Sequence, residues 1–214
     1  MIISPSRGYI FVHIPKTGGT AMALALEDRA RADDILIGDT PKAVKRRRRL
    51  KGLKTRGRLW KHSTLADIDG FLSPQDIRAM VTFTLVRNPW DRIVSYYHWL
   101  GAQNFDHQAV VLAKSLEFRD FLMEPHTQAS LSAWPAAAYM RLVDGRIHAT
   151  HFIRLEHLQE DMAPLAKHLG FNPDVPHANR SARDADYRRY YDEETAALVA
   201  KICAADVAQF GYTF

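Results

Sequence analysis

The chain has 214 residues and a formal net charge of +5, and its content of 47% hydrophobic and 25% charged residues excludes a disordered or fibrous protein. The single cysteine, Cys203, excludes an internal disulfide and a multi-cysteine metal site, and no apolar run approaches the roughly 18 residues of a membrane span. Because the start of the chain also lacks a signal-peptide pattern, we expect a globular protein of the reducing cytoplasm.

The first predicted strand is the nearly continuous apolar run Tyr9–Ile14, which is typical of a buried parallel strand. A loop with two glycines, a lysine and two threonines follows at Pro15–Thr20, and residues 21–27 are strong helix formers. Backbone amides at a helix N-terminus, close approach at glycine and a nearby lysine suit a phosphate group. The loop is not a Walker A motif, because Lys16 precedes the glycines. The alternative interpretation is a glycine turn beside a surface lysine.

The next feature is a basic segment at residues 42–61, which contains eleven Lys or Arg residues and no Asp or Glu. In the rest of the chain, 18 basic residues are outnumbered by 24 acidic ones, so the basic character is local. Such a segment attracts a polyanion, whether nucleic acid, anionic lipid or acidic polysaccharide. The alternative is a solvated loop.

A second strand-to-helix unit is predicted from Val81–Val86, a β-branched and aromatic run. Asn88 is a good N-cap and Pro89 suits the first helical position. Apolar residues then recur at helical spacing until Gly101. A third strand is predicted over residues 148–155.

Two further helices are predicted towards the end of the chain. The first is capped by Asp161 and ends at Gly170, and the second starts near Asp192 and continues to Phe210.

Strands that alternate with helices predict the α/β class, here a three-layer sandwich with a central parallel sheet. We expect one domain over residues 1–214, with a basic excursion at about 38–62 and a helical, acceptor-side excursion at about 102–140. Ligands of such folds bind beyond the carboxyl ends of the strands, where the glycine loop and Arg87 both fall. Arg87 and Ser95 could hold a second phosphate there.

Two segments together resemble the carbohydrate-type (family 2) sulfotransferases, which use 3′-phosphoadenosine 5′-phosphosulfate (PAPS). His13–Thr20 (HIPKTGGT) is similar to their 5′-phosphosulfate loop, and Leu85–Tyr97 (LVRNPWDRIVSYY) is similar to their 3′-phosphate segment. The resemblance continues through residues 60–64, 154–158 and 206–214. It implies a P-loop-like sulfotransferase fold and transfer of a sulfuryl group to a hydroxyl or amine of a carbohydrate or other small acceptor.

The resemblance also implies roles for single residues, with PAPS as co-substrate and no metal. Lys16, Thr17, Gly18, Gly19 and Thr20 would hold the 5′ side of the donor, and Arg87 and Ser95 would hold the 3′-phosphate. Lys16 would also be catalytic, because positive charge beside the bridging oxygen stabilises the leaving group.

His62 is the expected catalytic base, because its place in Trp60–Thr64 resembles the position of the base in several glycan sulfotransferases. An imidazole suits proton abstraction near neutral pH. His13 could instead shape the donor loop. A polar turn that contains Asn179, Ser181 and Arg183 looks like a family feature near the donor, without an assigned role.

Two other functions compete with sulfotransfer. The first is a nucleic-acid-binding protein built on residues 42–61, although only Trp60 interleaves with the charges. The second is a nucleotide phosphotransferase, which needs acidic Mg²⁺ ligands, whereas Arg87 ends the second predicted strand. We therefore expect a carbohydrate or other hydroxyl-bearing acceptor, for which the basic segment allows an anionic one, and no specific nucleic acid.

Overall fold

The computed structural model describes residues 1–176 and 183–214. The strands are β1 (Ile2–Ser4), β2 (Tyr9–Val12), β3 (Ile35–Leu36), β4 (Val81–Val86) and β5 (His151–Arg154). The α-helices are α1 (Gly19–Asp28), α2 (Pro41–Arg46), α3 (Pro74–Arg78), α4 (Pro89–Gly101), α5 (Gln108–Ser115), α6 (Phe118–Met123), α7 (Pro125–Ala133), α8 (Ala136–Tyr139), α9 (Leu158–Leu169), α10 (Glu193–Ile202) and α11 (Ala204–Phe210). These elements form two compact units. The first holds residues 1–86 and the described part of 136–179, and the second holds residues 87–135 and the described part of 180–214.

The first unit contains a five-stranded sheet in the order β3-β1-β2-β4-β5. Strands β2, β4 and β5 are parallel, with Phe11 opposite Phe83 and Leu85 opposite Ile153, which confirms the predicted central parallel sheet. Helices flank the sheet, as expected for the α/β class. The sheet is nevertheless mixed, because β1 pairs antiparallel with both β2 and β3. Neither β1 nor β3 was predicted from the sequence.

One face of the sheet carries the main core of the first unit. This core joins strand residues to the inner faces of α1 and α9, and includes Phe11, Phe83, Leu85, Ile153, Met22, Leu26, Met162 and Leu165. Val12 and Thr84, which point to the opposite face, are also fully buried. The Thr84 hydroxyl donates to the Val12 carbonyl at 2.8 Å, so its polar atom is satisfied. Burial of both faces explains why β2 lacks apolar-polar alternation.

Helix α9 begins earlier than predicted, so the expectation that Asp161 is its N-cap was wrong. The helix starts at Leu158, and Asp161 lies in its first turn. The Asp161 carboxylate accepts hydrogen bonds from the Arg154 backbone N–H at 2.8 Å and from its guanidinium at 2.8 and 2.9 Å. These bonds tie the helix to the end of β5. Gly170 ends it with φ of +75°, as predicted.

The second unit is helical in the described residues, and α4 begins and ends where the sequence predicts. The Asn88 side chain caps α4 by accepting from the Trp90 and Asp91 amides at 3.1 and 3.5 Å. The single C-terminal helix predicted from Asp192 is in fact two helices, because α10 ends at Ile202 and α11 starts at Ala204. Among the described helices none is both long and apolar enough to cross a bilayer.

Candidate active site

The glycine loop between β2 and α1 has a backbone that only certain residues allow. Lys16 has φ of +65°, a left-handed conformation that is uncommon for residues other than glycine, and Gly18 has φ of +86°. A Cβ at Gly19 would lie 2.0 Å from the His13 ring, so any side chain there would require that ring to move. The buried Thr17 hydroxyl donates to the Ile14 carbonyl at 2.9 Å and ties the loop together. Strained, over-determined backbone of this kind is typical of a ligand site.

The loop ends at the N-terminus of α1, where the first amides lack intrahelical acceptors. In the described part of the chain no side chain caps this end, and the N-cap residue is Gly18. Thr20 lies in the first turn, and Lys16 adds a full positive charge to the partial charge of the helix terminus. Amides at a helix N-terminus, a nearby lysine and a glycine backbone that can be approached closely suit an anionic group such as a phosphate.

His62 is held beside this loop through His13. The His62 Nδ1 atom lies 2.7 Å from the His13 carbonyl oxygen. Since a carbonyl oxygen only accepts hydrogen bonds, Nδ1 carries the hydrogen and Nε2 keeps its lone pair. The two imidazole rings meet edge to face, with centroids 4.6 Å apart. In this tautomer His62 can accept a proton at Nε2.

Both histidines are uncharged at neutral pH. Burial lowers the pKa of His62 from its ordinary value of 6.5 to about 4, although the hydrogen bond to the His13 carbonyl acts in the opposite direction. Burial also holds the pKa of His13 well below its ordinary value, and the neighbouring His62 adds to this effect. His62 therefore has an unprotonated imidazole throughout the physiological range.

The turn that carries His62 is fixed on both sides. The buried Ser63 hydroxyl accepts from the Trp60 backbone N–H at 2.9 Å and bonds to the Trp60 carbonyl at the same distance. Lys61 forms an ion pair with Asp39 at 2.7 Å. The indole of Trp60 stands edge-on to the His62 ring, with centroids 5.0 Å apart, and is 50% exposed. An aromatic surface thus lies open beside the candidate base.

In the second unit, Arg87 and Arg183 share one carboxylate. Arg87 donates from Nε and Nη2 to Asp91 Oδ2 at 2.8 and 2.6 Å, and Arg183 donates from Nη2 to Asp91 Oδ1 at 2.5 Å. Ser95 is buried one helical turn after Asp91 on the same face of α4. The contact of Arg183 with Asp91 was not predicted from the sequence. Asn179 and Ser181, which belong to the same predicted turn as Arg183, lie outside the described residues.

The basic segment 42–61 is folded, at least in part, rather than a simple loop. Thr40 caps α2, and a 3-10 turn follows at Arg47–Leu50. Three of its bases donate to carbonyls at or just after the end of α1: Lys42 to Glu27, Arg46 to Arg31 at 2.7 Å, and Arg49 to Ala32. A cation suits the Glu27 carbonyl in particular, because the last turn of a helix carries partial negative charge. Arg47 and Arg48 are exposed.

Within residues 1–176 and 183–214 no group of three or more His, Cys, Asp or Glu side chains could hold a metal ion. The thiol of Cys203 is half-buried, and burial raises its pKa to about 11. A protonated thiol is neither a good metal ligand nor a nucleophile.

The sequence-predicted residues fall into two groups. In the first unit, the glycine loop, His13 and His62 lie together. In the second unit, Arg87 lies just before α4 and Ser95 lies within it, and Asp91 binds both Arg87 and Arg183.

Comparison with known proteins gives a family match and similar solved structures. The family 2 model of the sulfotransferase family matches residues 1–213. A crystal structure of mouse sulfotransferase SULT7A1 complexed with PAP is similar over 98% of this chain and 86% of that chain, with 13% identity and a TM-score of 0.49. No curated protein matches the chain.

Proposed function

The chain belongs to the sulfotransferase family and is a PAPS-dependent sulfotransferase, and from this premise we propose that it sulfates a hydroxyl, or an amine, of a carbohydrate or other small acceptor. The observation that carries the proposal is the contact of His62 with His13, whose ring in turn rests on Gly19 of the glycine loop. This chain of contacts supports a proton acceptor next to the donor loop. The match spans residues of both compact units, and we propose that the whole chain serves this one activity.

We assign the 5′ side of PAPS to the loop from Lys16 to Thr20. The uncapped amides of α1 and the Lys16 ammonium supply the positive potential that this group needs. In an in-line displacement, the acceptor oxygen forms a bond to sulfur as the bond from sulfur to the bridging oxygen breaks, and 3′-phosphoadenosine 5′-phosphate (PAP) leaves. Lys16 stabilises the negative charge that develops on that bridging oxygen. His62 Nε2 takes the acceptor proton.

Arg87 and Ser95 bind the 3′-phosphate in this proposal. We expect Arg87→Ala to weaken binding of PAP by about 1.5–3 kcal/mol, the usual scale for hydrogen bonds to a charged group. Isothermal titration calorimetry should show this loss. Because the assigned groups neutralise the phosphates without a cation, a chelator should leave the affinity of the wild type unchanged. An Arg87→Ala variant with wild-type affinity would contradict the assignment.

The exposed indole of Trp60 supports the proposal that the acceptor contains a sugar ring. Its indole is half exposed beside His62, and an exposed aromatic face can pack against the C–H face of a sugar ring. The neighbouring bases Arg56 and Arg58 are exposed and would favour an anionic saccharide. The direct test is a screen of neutral and acidic saccharides, phenols and amines with labelled PAPS. Transfer confined to non-carbohydrate acceptors would contradict the carbohydrate proposal alone.

The basic segment provides a second test of the acceptor. Arg46 and Arg49 donate hydrogen bonds to backbone carbonyls just after α1, so replacing them would also disturb the fold. The informative change is therefore Arg47→Gln with Arg48→Gln, which removes only exposed charge. We expect a higher KM for an anionic acceptor and a weaker dependence of KM on salt, with unchanged PAP affinity. The steady-state rates should be measured at several salt concentrations.

A matched control for this variant is Lys167→Gln with Lys201→Gln, which removes two exposed charges elsewhere in the chain. If both double variants behave alike, the segment has no specific role in acceptor binding. An oligonucleotide that raises the melting temperature of the wild type, but not of the Arg47 and Arg48 variant, would instead favour nucleic-acid binding.

The cytoplasmic location stays a prediction that rests on the single cysteine.

A further inference from the structure

The carboxylate of Asp91 lies between the guanidinium groups of Arg87, which is assigned to the 3′-phosphate, and Arg183. Both of its carboxylate oxygens are used, Oδ2 by Arg87 and Oδ1 by Arg183. The side chains of Arg87 and Arg183 are only 14% and 11% exposed, and that of Asp91 is 19% exposed. The three groups therefore form one compact, largely buried cluster with a net charge of +1.

A carboxylate close to a phosphate is unfavourable on charge alone. Each oxygen of Asp91 nevertheless directs a different guanidinium, and Arg87 binds through two nitrogens of its planar fork. A long arginine side chain otherwise samples many rotamers and loses that freedom when a ligand binds. Because Asp91 already restricts the two arginine side chains, less conformational entropy is lost when the ligand binds. The two guanidiniums together still outweigh the charge of the carboxylate.

We propose that Asp91 is a positioning residue that orders Arg87 and Arg183 together for the 3′-phosphate of the donor. This inference rests on the proposed function, because it takes PAPS as the ligand. Arg183 thereby gains a role that its sequence position alone does not reveal. Asp91 itself does not touch the nucleotide.

The proposal and simple electrostatics predict opposite changes in PAP affinity when the charge of Asp91 is removed. If Asp91 acted only through its charge, Asp91→Asn would remove a repulsive group and tighten the binding of PAP. If Asp91 orders the arginines, the same change removes its constraint on both guanidiniums and weakens binding. The effect must also be confined to nucleotides with a 3′-phosphate.

The experiment compares PAP with AMP, which lacks the 3′-phosphate, by calorimetric titration of the full chain. We expect Asp91→Asn to raise the Kd of PAP roughly 5- to 30-fold and to change the Kd of AMP less than about twofold. Asp91→Glu keeps the charge and should recover part of the affinity for PAP. Glu194→Gln, which breaks a different ion pair in the same unit, should change neither Kd.

Two results would overturn the inference: unchanged or tighter binding of PAP, or an equal loss of affinity for PAP and AMP. If Asp91→Asn does not fold, Asp91→Glu still decides the matter, because the displaced carboxylate should weaken PAP binding more than AMP binding. Failure of the wild type to bind PAP at all would instead contradict the donor site assigned in the proposed function. The two failures are therefore distinguishable.

Discussion

Lys16→Ala should cause the largest loss of any single substitution in the donor loop. We expect the Kd of PAP to rise about 10- to 100-fold, because a charge-assisted contact is lost. We also expect kcat to fall by about 10²–10³, the scale for removing one group that stabilises developing negative charge. Titration with PAP measures the first effect, and steady-state sulfuryl transfer at saturating PAPS measures the second.

Lys16→Arg is the matched control for this loss. It keeps the positive charge and the left-handed backbone position, but replaces a compact ammonium with a planar group. We therefore expect Lys16→Arg to recover most of the PAP affinity and only part of kcat. Near wild-type binding and turnover of Lys16→Ala would remove the physical reason for assigning the loop to a phosphosulfate.

His62→Ala should reduce kcat by about 10²–10⁴, because a positioned imidazole contributes this factor when it accepts a proton in the transition state. PAP affinity should stay close to that of the wild type, because His62 faces the acceptor in the proposed function. Steady-state kinetics at saturating donor and acceptor, with a parallel PAP titration, measure both quantities.

The pH profile adds a second readout for the same residue. Burial lowers the pKa of His62 to about 4, and the neutral imidazole is the active form. In the wild type, kcat/KM should therefore rise with pH through about 4 and stay level towards neutral pH. His62→Ala should lose this rise. His157→Ala, which changes an exposed histidine of the same unit, should keep both the rate and the profile. Full activity of His62→Ala would shift the role to His13 or to an acidic side chain.

Local signals in the sequence were enough to predict the parts of the fold that carry the site. The cap at Asn88, the proline after it and Gly101 each act within a few residues, so both ends of α4 were predicted correctly. The apolar run of β2 and the glycines after it are also local signals, and they predicted the strand and the loop that follows it. By contrast, β1 and β3 have three and two residues, and pairing with the rest of the sheet stabilises them. No local pattern marks such strands.

The missed features of the site depend on contacts between distant residues. Arg183 meets Asp91 across 92 positions of the chain, and neither residue carries a signal for the other. The break between α10 and α11 was missed because the apolar spacing continues through Cys203. In the basic segment, the charge can be read from the composition. Only the structure shows that Arg46 and Arg49 donate to backbone carbonyls whereas Arg47 and Arg48 are exposed.

The contact between His13 and Gly19 constrains how this site can evolve. The imidazole occupies the space that a Cβ at position 19 would need, and the carbonyl of the same histidine holds the ring at position 62. A larger residue at 19 would require the ring at 13 to move, and the backbone of that residue orients His62. We therefore expect a substitution at position 19 to be accompanied by changes at 13 and 62, so that these three positions should covary among descendants of this chain.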